Sequence, residues 1–159
     1  MSANDRQVAG SHYNGARLQH WDYVMEALSG RYLEGNITKY VCRHRKKNGV
    51  QDLEKALHYL DKLIEMFTSG KVLALDYRPR SMSFPMAEFI AENGLNSAEA
   101  FIVKRIAYWY TEHHLLVTKH HIQLLLTQAE EDARRMEHIK AGGFAPINEE
   151  PGAGYTNQD

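Results

Sequence analysis

The stretch LEGNITKYVCRHRKKNGVQDLEKALHYLDKLIEMF, residues 33–67, predicts two helices joined by a tight turn. In the first helix, which ends at Lys47, apolar residues recur every three or four positions, and the second helix, over residues 52–67, repeats this pattern. The Asn-Gly pair at 48–49 is a typical helix stop signal. Two amphipathic helices with a short connection favour an antiparallel pair.

Similar apolar periodicity predicts a helix at residues 18–28 and three more at about 86–93, 98–116 and 118–140. Ser97 is the expected N-cap of the helix at 98–116, because a serine hydroxyl accepts hydrogen bonds from the first backbone N–H groups of a helix. No segment shows convincing β-strand alternation. We therefore expect an all-α fold with an N-terminal three-helix unit and a C-terminal helical hairpin.

Composition divides the chain into four parts. Residues 1–70 form the N-terminal helical module, and residues 71–85, which hold two of the four prolines, read as a linker. Residues 86–141 form a C-terminal helical region that either belongs to the same compact domain or serves oligomerisation. Residues 142–159 are rich in Gly and Pro and are expected to be a disordered tail.

The overall composition is that of a globular protein. The chain has 159 residues, of which 43% are hydrophobic and 25% are charged. No apolar run is long enough to cross a membrane, and the polar N-terminus lacks the apolar core of a signal peptide. The lone cysteine, Cys42, excludes an internal disulfide framework and fits a reducing cytoplasm. A net charge of −1 argues against a protein that coats DNA non-specifically.

One segment departs from this balance of charge. Residues 35–47 contain five Lys or Arg residues and no acidic residue, although the whole chain has 19 basic and 20 acidic residues. At 100° per residue, several polar positions follow one side of this helix: Asn36, Lys39, Arg43 and Lys46 or Lys47. The segment is therefore a candidate binding site for an anion.

A second polar ridge follows the next helix and consists of Asp52, Lys55, Tyr59 and Lys62. Antiparallel packing would place the two ridges along one groove. Such a groove would offer Arg for bidentate phosphate contacts, Lys as point charges, and Tyr40 or Tyr59 as a stacking surface. The alternative is a solvated helix face, but such faces usually mix charges of both signs.

Paired histidines occur at 113–114 and 120–121. The offset of seven residues corresponds to about 10 Å along a helix, which is too far for one metal ion without other ligands. No His-Glu-x-x-His motif, P-loop or Gly-x-Gly-x-x-Gly loop is present. We expect no protein-held metal site, and we interpret the histidines as residues of a helix–helix contact or an oligomer interface.

Residues 11–65 resemble a family of phage proteins known as a domain of unknown function. Its pattern is Ser-His-Tyr, then Gly-Asn-x-x-Lys-Tyr-x-x-Arg, a Lys-rich turn, and Asp-Leu-x-Lys-Ala-x-x-Tyr. Every element is present: Ser11, His12, Tyr13, Gly35, Asn36, Lys39, Tyr40, Arg43, Lys46, Lys47, Asp52, Leu53, Lys55, Ala56 and Tyr59. The family includes the deoxynucleoside monophosphate kinase of a T-seven-type coliphage, which phosphorylates dTMP and dGMP and forms a large oligomer.

The resemblance implies a phage-encoded protein of nucleotide metabolism in the host cytoplasm. It implies ATP or another nucleotide as phosphate donor, Mg²⁺, and a homo-oligomer whose site lies between subunits. The expected catalytic residues are His12, Arg43 and Asp52. The expected nucleotide- and phosphate-binding residues are Tyr13, Asn36, Lys39, Tyr40, Arg43, Lys46, Lys47, Lys55 and Tyr59.

Three functions stay open at this point. The first is a deoxynucleoside monophosphate kinase, and the second is a nucleotide-binding module without catalysis. The third is a protein that binds a host factor or nucleic acid through its basic helix, with strong dependence on salt. The chain departs from the kinase in two respects, because it lacks a long cysteine-bearing N-terminal extension and adds helical residues after the shared module.

Overall fold

The computed structural model describes residues 17, 18, 20, 23, 24, 31–72 and 84–142. Within these residues the chain forms five α-helices and no strand. The helices are α1 (Tyr32–Arg43), α2 (Val50–Thr68), α3 (Met86–Glu92), α4 (Ser97–Ala107) and α5 (Glu112–Lys140). The all-α prediction is confirmed.

Helices α1 and α2 form the predicted helix pair and are joined by a short 3₁₀ turn, His44–Lys46. Gly49 follows this turn with a φ of 52°, and its N–H donates to the carbonyl of His44 at 2.9 Å. A side chain is strained at such a φ, so glycine suits this position. The Asn-Gly stop signal therefore reverses the chain where the sequence predicted.

The C-terminal helices pack on this pair and share one apolar core with it. Tyr23, which is fully buried, stacks on Phe89 of α3 at 4.7 Å and donates its hydroxyl proton to the carbonyl of Val103 in α4. The fully buried aliphatic residues come from both halves of the chain: Ile37, Val41, Leu53, Leu60, Ile102, Val103, Ile106, Leu115 and Ile122. Helices α4 and α5 contact each other as the predicted hairpin does.

The predicted helix at 98–116 is wrong in one respect, because it is broken after Ala107. Trp109 turns into the core with 4% exposure, and its indole N–H donates to the buried carboxylate of Glu34. Thr111 then caps α5 by accepting a hydrogen bond from the N–H of His114. Burying the indole requires the chain to leave the helix, so α5 begins at residue 112 rather than at 118.

The N-cap of α4 is Asn96 rather than Ser97. The Asn96 side chain accepts from the N–H of Glu99, and the Glu99 carboxylate accepts from the N–H of Asn96 at 2.8 Å. This reciprocal pair is a capping box. It places a carboxylate at the start of α4, where the helix dipole favours negative charge.

Other sequence predictions lie outside the described residues. These are most of the helix at 18–28, the greater part of the linker at 71–85, and the tail apart from its first residue. None of the described helices is long and apolar enough to span a bilayer.

Candidate functional site

The two predicted polar ridges meet where α1 faces α2. The Arg43 guanidinium donates from Nε to Oδ2 of Asp52 at 3.0 Å and from Nη2 to Oδ1 at 3.1 Å. Asp52 is fully buried, and Asn48 adds a longer contact of 3.4 Å to Oδ1. A carboxylate in such a place must be paired, because an uncompensated buried charge is costly.

This pairing keeps Asp52 ionised. Burial alone would raise the pKa of the Asp52 carboxyl, but the hydrogen bonds and charge of Arg43, together with Asn48, outweigh it and lower the pKa. The geometry favours Asp52 as the residue that positions Arg43 rather than as a proton donor.

Three tyrosines lie beside this ion pair. The rings of Tyr40 in α1 and Tyr59 in α2 stack with centroids 5.8 Å apart and an interplanar angle of 19°. Tyr32, which is 70% exposed, meets Tyr59 edge-on at 6.0 Å. Interaction with the Tyr32 side chain raises the pKa of the Tyr59 phenol. These rings form an aromatic surface that solvent reaches.

Three cationic side chains lie within 6 Å of the centre of the Tyr40 ring. The Arg43 guanidinium carbon lies 4.7 Å from the ring centroid, Lys55 Nζ lies 5.8 Å from it, and Lys39 Nζ lies 5.9 Å from it. Among the described residues, no carboxylate lies within ion-pair distance of Lys39 or Lys55. Asp52 offsets the charge of Arg43, so the surface keeps a net positive charge.

We call this set of residues the Tyr40 cluster: Tyr32, Lys39, Tyr40, Arg43, Asp52, Lys55 and Tyr59. Lysine ammonium groups bind phosphate as point charges, and exposed tyrosine rings stack on nucleobases. The cluster combines both groups on one face of the helix pair. It can therefore hold a ligand that has an anionic end and a flat aromatic end.

The basic side chains of residues 35–47 contact two different parts of the protein. Lys39 and Arg43 lie at the Tyr40 cluster, whereas Arg45 and Lys46 contact α3 and α4. Lys46 Nζ donates to the carbonyl of Asn93 at 2.9 Å, and Arg45 forms two hydrogen bonds of 2.7 Å with Glu99. His44 Nε2 also lies 2.7 Å from a Glu99 oxygen. These three residues thus bind the N-terminal helix pair to α3 and α4, on contacts separate from the Tyr40 cluster.

Glu99 is 1% exposed and is the centre of this second network. Burial would raise the pKa of its carboxyl, but hydrogen bonds from His44, Arg45 and the Asn96 N–H lower it to about 2. The local sequence contains no signal for its contacts with His44 and Arg45, because these two partners lie more than fifty positions away.

The other predicted site residues lie either outside the Tyr40 cluster or outside the described residues. Asn36 donates its amide to the carbonyl of Tyr32 at 2.9 Å, and Lys47 is exposed in the turn. His12 and Tyr13 lie outside the described residues.

Sequence reasoning missed two residues near the cluster. Tyr32 lies eight positions before Tyr40, on the same helix face, so helical periodicity could have found it. His20 is 8% exposed, and its Nε2 lies 3.0 Å from the Thr38 hydroxyl. Burial, aided by the charges of Lys39 and Arg43, lowers the pKa of His20 to about 3, so its ring is neutral at physiological pH.

Comparison with known families identifies the segment that carries this geometry. Residues 8–61 match the family described as a protein of unknown function, DUF3310. A DUF3310 domain therefore occupies the N-terminal part of the chain. Both α1 and most of α2 lie within this domain, and so does the whole Tyr40 cluster. The match confirms the predicted relation to a domain of unknown function.

The DUF3310 description names no activity, so the link to nucleotide phosphorylation stays a prediction. No curated protein and no solved structure matches the chain. Helices α3, α4 and α5 lie beyond the DUF3310 match and complete the core on which the domain packs.

The histidines of α5 lie apart from the Tyr40 cluster. His121 stacks on Phe101 at 4.2 Å, and His114 meets Tyr110 edge-on at 4.2 Å, whereas His113 and His120 are exposed. Within the described part of the chain, no three His, Cys, Asp or Glu side chains come together as a metal site.

Proposed function

We propose that this protein binds a nucleotide on the Tyr40 cluster and acts as a phage deoxynucleoside monophosphate kinase. The single observation that supports binding is the placement of the Lys39 and Lys55 ammonium groups, 5.9 and 5.8 Å from the centroid of the Tyr40 ring, which stacks on Tyr59. The phosphate would lie against the two ammonium groups. The base would lie against the exposed Tyr32 ring and the half-buried rings of Tyr40 and Tyr59.

The choice of reaction rests on the resemblance of residues 11–65 to the phage family. Phosphoryl transfer requires positioning and neutralised charge more than covalent chemistry from the protein. Lys39 and Lys55 would supply the charge, and Arg43 would hold the Tyr40 ring in place. Mg²⁺ would arrive with the phosphates of ATP or another donor, because the carboxylate of the cluster, Asp52, is occupied by Arg43.

The alternative functions would use the same surface. A nucleotide-binding module without catalysis would bind a mononucleotide and leave it unchanged. Basic and aromatic side chains together also suit single-stranded nucleic acid, whose bases stack while its phosphates follow a basic groove. A host protein with an acidic surface could contact the same lysines.

The test is a panel of deoxynucleoside monophosphates titrated calorimetrically into the full chain, followed by product analysis with ATP and Mg²⁺. The variants are Lys39→Ala and Lys55→Ala, with Lys62→Ala as the matched control. Lys62 is an exposed lysine of α2 that pairs with Glu65 and lies outside the cluster. Lys39→Ala or Lys55→Ala should weaken binding at least tenfold, while Lys62→Ala should bind as the wild type does.

Each outcome separates the candidate functions. Diphosphate product that is lost in Lys39→Ala supports the kinase, and tight binding without product leaves a binding module. Preference for an oligonucleotide over every mononucleotide, with affinity that falls steeply as salt rises, indicates nucleic acid instead. Equal binding by all three variants would remove the Tyr40 cluster from the proposal.

A further inference from the structure

Helix α5 has an outer face that no described helix covers. Its inner side packs into the core through Leu115, Thr118 and Ile122, which are buried. The residues on the opposite side are all exposed: His113, Leu116, His120, Gln123, Leu124 and Thr127. We call these six residues the outer face of α5. They lie beyond the DUF3310 match and apart from the Tyr40 cluster.

The outer face contains no Asp, Glu, Lys or Arg over four helical turns. The only such residue between Glu112 and Glu130 is Lys119, and its ammonium group pairs with Asp61 of α2 at 2.7 Å. Helix faces that meet solvent normally carry charged residues. This face instead exposes Leu116 by 48% and Leu124 by 55%.

Five of the six residues on this face match one another when the helix direction is reversed. The exception is Gln123, which would face the half-buried Val117. If a second α5 lies antiparallel with a two-fold axis at His120, Leu116 faces the partner's Leu124. His113 then faces the partner's Thr127, and the two His120 rings meet at the axis. Both leucines are thus covered, and no ionised Asp, Glu, Lys or Arg enters the pairing.

We propose that two copies of this chain associate through the outer face of α5 as an antiparallel, two-fold symmetric helix pair. An isologous contact must match the same surface on both copies, and every residue of the face except Gln123 satisfies that condition. The facing segments extend about 21 Å, at 1.5 Å per residue over fourteen steps. So short an interface lies at the small end of specific contacts, and the dimer should dissociate on dilution.

The first test is the mass of the full chain by sedimentation over a wide concentration range. The wild type should pass from monomer to dimer as concentration rises. Leu124→Glu should stay monomeric at concentrations where the wild type is dimeric, because two carboxylates would enter the contact. Met136→Glu is the matched control, since Met136 is 53% exposed on the same helix but lies outside the outer face.

The second test addresses the register of the pair. In a Cys42→Ser background, His120→Cys should form a disulfide-linked dimer under mild oxidation, because residues at a two-fold axis face each other. His113→Cys should not, since it lies about 21 Å along the helix from its own symmetry mate. A monomeric wild type at every concentration would overturn the proposal. So would a Leu124→Glu dimer, or cross-linking at position 113 instead of 120.

Discussion

The buried carboxylate of Asp52 in α2 is held by the Arg43 guanidinium of α1 through hydrogen bonds of 3.0 and 3.1 Å. The same guanidinium lies 4.7 Å from the centre of the Tyr40 ring. One side chain thus joins the two helices and supports the aromatic surface. Loss of ligand binding in an Arg43 variant would therefore not by itself show a phosphate contact, and for this reason the lysines are the better probes.

Arg43→Ala should reduce the free energy of unfolding by about 3–5 kcal/mol, because it leaves the Asp52 charge buried without its partner. The double variant with Asp52→Asn should recover part of that loss, since the amide carries no charge. Urea unfolding of the four proteins in the cycle measures both effects. Lys47→Ala, at an exposed site in the turn, is the control and should cost less than about 0.5 kcal/mol. A loss below about 1 kcal/mol for Arg43→Ala would contradict the role assigned to the pair.

Glu99 should make the protein sensitive to acid. Its folded pKa of about 2 lies below the unfolded value of about 4.3, so its contribution is complete above pH 4.3 and is lost as pH falls toward 2. The shift corresponds to about 3 kcal/mol for this nearly unexposed group. Urea unfolding between pH 5 and 2.5 should show a flatter profile for Glu99→Gln than for the wild type. Parallel profiles would mean that the network around Glu99 does not control acid unfolding.

His20 should affect stability in a higher pH range. Its folded pKa of about 3 lies below the unfolded value of about 6.5, so the unfolded chain takes up a proton first as pH falls. Stability should therefore decrease from pH 6.5 downward, by about 2 kcal/mol at pH 5. His20→Gln does not titrate and should lose less stability between pH 7 and 5. An unchanged slope in the variant would show that the ring is not held neutral.

Trp109→Phe should destabilise the protein by about 1–3 kcal/mol, because it removes the indole donor from the buried Glu34 carboxylate. The edge-on contact with Phe67, at 5.3 Å, can persist in the variant. Thermal unfolding measures the loss, and Tyr110→Phe, at a 64% exposed position, is the control. Equal melting temperatures for the two variants would contradict a stabilising role for the hydrogen bond between Trp109 and Glu34.

Tyr59 tests the aromatic half of the proposed nucleotide site. Tyr59→Phe keeps the ring and should bind nucleotide nearly as the wild type does. Tyr59→Ala removes the ring and should weaken binding by about 1–3 kcal/mol, the usual contribution of a base stacked on an aromatic side chain. Calorimetric titration distinguishes these results. Equal loss in both variants would assign the effect to the hydroxyl, whose neighbour is Tyr32.

The helix pair and the convergence of its polar ridges were predictable because both follow from local periodicity. Lys39, Arg43 and Lys55 repeat at helical spacing, and the Asn-Gly turn brings their helices side by side. It was not predictable that Arg43 and Arg45 would bind different partners on different helices. Both are basic residues of the same segment, and their partners, Asp52 and Glu99, are chosen by how the other helices pack.

The sequence by itself determined the helical class, the turn at Gly49 and the basic and aromatic composition of the cluster, because these depend on residues within a few turns of one another. Only the tertiary structure decided which partners the charged side chains contact. It broke the predicted helix at Trp109 to bury an indole against Glu34, and it assigned Lys46 to the carbonyl of Asn93. Such contacts join residues separated by about fifty to eighty positions, and periodicity along one helix contains no information about them.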